Sequence, residues 1–219
     1  MHLTLTPQDL GKADSFNVIA DWKGSEHPEQ VVVVSGHLDS WDLGTGAIDD
    51  GAGVAVSMQA IHLLKQLGIR PRRTVRFIAW MAEEQGGEGA EFYNREHKDK
   101  FPSHIGAIEA DLGCDHPTGI YVAGKPELRQ WLRPVAGVLD SFGAGSLTES
   151  QGVGEDVDGL TRAGVPSFAP IFDSRTYFNY HHTAADTFDK VDPRTFNQNA
   201  ALVAVLAYAL ADSADPAPR

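Results

Sequence analysis

Five short stretches carry side chains able to bind cations or move protons. The first is Ser35-Gly36-His37-Leu38-Asp39. In extended chain His37 and Asp39 point the same way. That suits an imidazole ligand and a neighbour that orients it. Alone, the pair reads as a surface histidine and a turn-capping aspartate. The second stretch is Gly46-Ala47-Ile48-Asp49-Asp50-Gly51-Ala52-Gly53. Aspartate commonly caps a helix, but two adjacent aspartates among small residues also let a carboxylate approach an ion closely. The third, Ala82-Glu83-Glu84-Gln85-Gly86-Gly87, offers one carboxylate ligand and one free base on opposite sides of the backbone. The fourth is Glu109-Ala110-Asp111. The fifth, Tyr180-His181-His182-Thr183-Ala184-Ala185-Asp186-Thr187, reads by itself as a polar loop.

The chemistry follows from the set. Two divalent ions would bring four positive charges. Asp49, Glu84 and Asp111 bring three negative ones, and one hydroxide balances the rest. Oxygen and imidazole donors without thiolate suit zinc, and also manganese or cobalt. Two metals about 3.5–4 Å apart are a recurrent design for hydrolysis.

Such groups need a frame that brings distant positions together. Phe16–Trp22 reads as a strand, Gly24–Gln30 as a polar turn, and Val31–Val34 as a short buried strand. Asp50–Leu67 has helical spacing and stops at Gly68. Thr74–Met81 reads as a strand, Glu88–His97 as a helix, and His104–Leu112 and Gly119–Ala123 as strands. Pro126–Phe142 reads as one helix, Asp156–Ala163 as a short helix, Val165–Ile171 as a strand and Pro193–Asp212 as a long closing helix. Alternating strands and helices predict an α/β sandwich with a mostly parallel sheet. In such sheets chemistry sits at the carboxyl ends of the strands, and His37, Glu83, Glu84 and Asp111 lie there.

Composition narrows the partners. The chain has 219 residues, 42% hydrophobic and 22% charged, which is globular. Its 18 basic and 30 acidic residues give a net charge of −12. A nucleic-acid backbone or an anionic membrane would be repelled, so neither is expected as a partner. Cys114 is the single cysteine. It forms no intrachain disulfide and is assigned no chemistry. The apolar run from Ala200 to Ala211 is too short for a bilayer.

The stretches GHLDSWDLGTGAIDDGAG, WMAEEQGGEGA, EADLG and YHHTAADTFDKVDP resemble the M28 family of zinc aminopeptidases and carboxypeptidases. GEDVDGL and AGVP strengthen the likeness, which is greatest to the carboxypeptidase Q (plasma glutamate carboxypeptidase) group and runs from about Phe16 to Asp212. The resemblance implies a three-layer α/β sandwich of the zinc-exopeptidase (phosphorylase/hydrolase-like) type. It implies two zinc ions per chain: His37 and Asp111 on one, Glu84 and His182 on the other, Asp49 bridging. Glu83 would be the general base acting on a metal-bridged hydroxide, Asp39 would orient His37, and Asp186 would support the site from behind. A cis peptide at Asp49–Asp50 is implied as well.

The implied activity is hydrolysis of peptide bonds at a chain terminus or in dipeptides, as an aminopeptidase, carboxypeptidase or dipeptidase. The alternatives are a single-zinc acyltransferase of the glutaminyl-cyclase type and a non-catalytic receptor derived from a peptidase. The domain reading is an extension over 1–15, a catalytic domain over 16–213 and a tail over 214–219. An upstream segment and a protease-associated domain are expected to be missing. Secretion or a periplasmic location, peptide substrates and a homodimer belong to the same expectation. Two features depart from the family. Gln151-Gly152-Val153-Gly154 lacks the tyrosine that many relatives use as oxyanion donor, leaving Tyr177, Tyr180 or a backbone N–H. Arg175 is the nearest cation in sequence for a substrate carboxylate.

Overall fold

The computed structural model describes residues 1–8 and 10–219. Its strands are β1 (Val18–Trp22), β2 (His27–His37), β3 (Arg73–Trp80), β4 (His104–Glu109), β5 (Pro117–Ala123), β6 (Ser146–Glu149) and β7 (Ser167–Phe172). The α-helices are α1 (Ala52–Gln66), α2 (Glu88–His97), α3 (Glu127–Trp131), α4 (Arg133–Leu139), α5 (Asp158–Arg162) and α6 (Pro193–Asp212). Among the described residues the strands form one sheet in the order β1-β3-β2-β4-β7-β5-β6.

The centre of the sheet, from β3 through β2 and β4 to β7, is parallel. Pairing of β1 with β3 and of β5 with β7 is antiparallel, and β6 returns to parallel. The alternation in Val31–Val34 makes three layers. Val32 and Val34 face the core shared with residues of α1 and α6, such as Val56, Leu64, Leu202 and Leu206. Val31 and Val33 face the opposite layer with Ala90, Tyr93 and Leu160 of α2 and α5. A strand buried on both faces explains the continuous β-branched run.

Several boundaries differ from the sequence reading. His27–Gln30 is strand rather than turn, because β2 pairs early with β3 through a register shift between His27 and Val31. The expected helix over 126–142 is broken into α3, α4 and a single 3-10 turn over Asp140–Phe142. Pro134 near the start of α4 lacks the N–H that a continuous helix needs there. Strand β6 was not expected. It is short, polar and mostly exposed, with no alternation to betray it. Residues 214–219 fold back against the domain. Ala217 is buried, and the Arg219 guanidinium donates to the carbonyls of Phe101, His104 and Ala163. No described helix is long and apolar enough to cross a membrane.

Candidate metal centre

Each candidate side chain hangs from the carboxyl end of a strand or from the loop after it. His37 is the last residue of β2 and is buried. Its Nε2 lies 3.2 Å from Asp49 Oδ1 and 3.2 Å from Asp111 Oδ1. Its Nδ1 is 2.9 Å from the main-chain carbonyl of Asp39. That contact fixes the ring so that Nε2 faces the carboxylates. Asp39 therefore meets His37 through its backbone. Its carboxylate is 3.8 Å from Nδ1 and has another task. It accepts the N–H groups of Glu83 and Glu84 at 3.0 and 3.1 Å. One aspartate thus ties the end of β2 to the turn after β3, where Ala82 adopts a positive φ of 61°.

Asp49 sits between two groups of potential metal-binding side chains. Oδ1 faces His37, and Oδ2 lies 3.2 Å from His182 Nε2 and 3.4 Å from His181 Nε2. His182 Nε2 also approaches Glu84 Oε2 at 3.0 Å. The peptide between Asp49 and Asp50 is cis. Two further carboxylates hold this turn from behind. Asp186 accepts from the N–H groups of Ile48 and Asp49 at 2.6 and 3.1 Å. Asp50 accepts from His37 N at 2.9 Å and Gly53 N at 3.0 Å. A Cβ on Gly36 would stand 2.5 Å from Asp50 Oδ2, and one on Gly53 would stand 1.7 Å from the Ala110 carbonyl. Only glycine allows that approach.

The electrostatics are those of a centre built for cations. Burial disfavours charge on His37, but its hydrogen bonds to Asp111 and Asp49 outweigh burial and push its pKa up. Burial is the largest influence on Glu83, raising its pKa to about 7. His37 opposes it, while Asp111, Glu84 and Glu155 add to it. Burial also raises Glu84 and Asp111. Asp49 Oδ2 and Glu84 Oε1 are buried without a hydrogen-bond partner. Atoms of Asp49, His181 and His182, of His37, Asp49 and Asp111, and of His37, Glu83 and Glu84 form groups within 4.8 Å. These donors and the orphaned oxygens fit divalent ions bound by nitrogen and oxygen.

His37, Asp39, Asp49, Glu83, Glu84, Asp111 and His182 converge here, with Asp186 behind them. Arg175 does not. It is exposed and paired with Asp173. Tyr180 lies under the Lys190 ammonium, 5.7 Å from its ring centroid. Tyr177 is buried beside the His181 ring, 4.9 Å between centroids. The sequence reading missed Trp41, which donates to Glu84 Oε2 and sits 5.0 Å from the His182 ring. It also missed Asp50 as a buttress. A lone exposed-type Trp and the second of two aspartates carry no spacing signal.

The sequence profile of Peptidase family M28 matches residues 17–207, so the chain belongs to that family. Carboxypeptidase Q of Mus musculus is 42% identical over 219 residues, covering 100% of this chain and 46% of the mouse protein. The solved structure of a Peptidase M28 precursor from Shewanella amazonensis superposes with a TM-score of 0.87 at 36% identity. It covers 93% of this chain and 46% of its own. The zinc aminopeptidase BSAP of Bacillus subtilis shares the fold, with a TM-score of 0.75 at 24% identity over 92% of this chain and 51% of that one. The chain spans about half the length of these relatives.

Proposed function

We propose that the chain carries the catalytic centre of a dinuclear zinc exopeptidase acting on peptides or dipeptides. The observation that supports this best is Asp49, whose two oxygens face His37 on one side and His182 on the other. In this reading His37 and Asp111 hold one zinc, Glu84 and His182 hold the other, and Asp49 is shared. When bound, the ions supply Lewis acidity that polarises a carbonyl and makes a water easier to deprotonate.

The chain's own residues do the rest. Asp39 fixes the backbone of Glu83 and Glu84, so that Glu84 serves as ligand and Glu83 is left free. Glu83 takes a proton from the attacking water and returns it to the leaving amine. Trp41 and Asp186 keep Glu84 and Asp49 aligned. The names of the relatives bring carboxypeptidase and aminopeptidase activity to mind alike. A secreted or periplasmic location belongs to the same proposal, as does a homodimer through the open β1 edge, where Val18 and Ile19 are exposed.

The test is zinc analysis coupled to hydrolysis of dipeptides with free and blocked termini. Two zinc ions per chain with turnover are expected. One ion with no peptide hydrolysis would overturn the dinuclear peptidase reading.

A further inference from the structure

Behind the metal centre lies a second buried acidic pair that the proposed mechanism does not use. Glu109 ends β4, two residues before Asp111, and its side chain is wholly buried. Its Oε2 accepts the N–H of Val157 at 2.8 Å. Gly154 lies directly on its carboxyl group. A Cβ there would stand 2.2 Å from Glu109 Cδ and Oε1. Asp156, between these two contacts in sequence, is also buried, and neither of its oxygens has a hydrogen-bond partner. The charged groups acting on Asp156 are those of the centre: His37, Glu83, Asp111 and Asp39. On the other side, Val153 and Val157 pack with Ile78, Trp80 and Ala90.

A buried carboxylate with unmade hydrogen bonds persists only where its surroundings hold it. What holds Asp156 is the backbone on either side of it, and Glu109 grips that backbone. We propose that Glu109 is a positioning residue. It clamps the 154–157 segment, and the buried Asp156 within it, onto the end of β4. The inference rests on the hydrolytic reading above for its effect on turnover, but the clamp itself is a matter of this chain's own contacts. A loosened segment lets Asp156 shift relative to the charged groups of the centre, Glu83 among them, which costs rate rather than substrate binding.

Four variants of the zinc-loaded protein test this: Glu109→Gln, Glu109→Ala, Gly154→Ala and the double variant Glu109→Ala/Gly154→Ala. Glutamine keeps an acceptor for Val157 N–H, so turnover should stay within about threefold of the parent. Glu109→Ala and Gly154→Ala disturb the same contact from opposite sides. Each should lower kcat about tenfold or more, with KM within about twofold and zinc content unchanged. In the double variant the space left by Glu109 admits the new methyl, so the losses should not multiply. Amide exchange of the 152–160 segment should rise in both single alanine variants and not in Glu109→Gln.

Unchanged exchange in Glu109→Ala, or losses that multiply, would overturn the clamp. If the parent protein shows no turnover, the hydrolytic reading fails and the exchange data still decide the clamp. If Glu109→Ala does not fold, Gly154→Ala and Glu109→Gln carry the same comparison, since Gly154→Ala removes no carboxyl group.

Discussion

Asp39 accepts both N–H groups of the Glu83–Glu84 pair, so the two glutamates are held in place by their backbone and can be separated by substitution. Glu83→Gln should keep both zinc ions and lose about 10²–10⁴-fold in kcat, because an amide cannot take up the proton. Glu84→Gln should instead weaken one ion, seen as a lower zinc stoichiometry after dialysis. Equal zinc loss in both variants would show that the pair is assigned the wrong way round. A different residue governs acid stability. His104 is buried, its Nε2 2.8 Å from the Tyr93 hydroxyl and its Nδ1 3.0 Å from the Lys100 carbonyl. Burial, reinforced by Arg76, His97 and Arg219, pushes its pKa down to about 4, against the Lys100 hydrogen bond. Between about pH 6.5 and 4 the unfolded chain binds a proton that the folded chain refuses. Stability should therefore fall as pH drops through that window, by up to about 3 kcal/mol from this group. Urea unfolding of the parent and His104→Gln at pH 7 and pH 4.5 measures it. The same loss in both proteins would refute the assignment.

The elements position the site through close backbone contact as much as through side chains. The end of β2 runs against the start of α1, with Gly36 beneath Asp50. Gly36→Ala should push the Asp50 carboxylate off His37 N and destabilise the fold by about 1–3 kcal/mol, the usual cost of overpacking. Thermal or urea denaturation reads it, and a neutral effect would mean the turn can yield. The same contrast explains what the sequence revealed. Helices α2 and α6 match their expected bounds because their signals are local. Asp192 caps α6 by accepting from Arg194 and Thr195, with Pro193 at its first turn. The seven candidate residues that meet around His37 were legible because four of them end or follow apolar strands and the family motifs fix the order of the rest. Asp50, Glu109 and Asp156 were not, since their roles arise from contacts across the fold. Glu109 reads as one more acid in a strand until Gly154 and Val157 close on it. Similarly, β6 has no pattern of its own and exists because β5 offers it an edge.

At the scale of the whole molecule the acid cluster is a stored cost that a cation relieves. Asp49, Glu84 and Asp111 lie within reach of one another around His37 and His182. A ligand bound only by the folded chain adds stability by mass action, about 2.7 kcal/mol at a hundredfold excess over Kd. Zinc should therefore raise the melting temperature in a concentration-dependent way, and a chelator should lower it. Differential scanning calorimetry across a zinc titration checks this. A melting point indifferent to zinc would show that the folded chain offers no preformed centre.

The support that Asp186 gives to Ile48 and Asp49 has a consequence for how the protein is made. The Ile48 contact spans 138 residues. At about 5–20 residues per second of synthesis, the Asp49 turn waits roughly 7–28 s for its buttress to be translated. His182, four positions before Asp186, arrives in the same interval. No nascent fragment short of that point holds all the proposed ligands, however well its first strands have paired. In the proposed reading, zinc uptake by the full set of ligands therefore waits until His182 and Asp186 have been made.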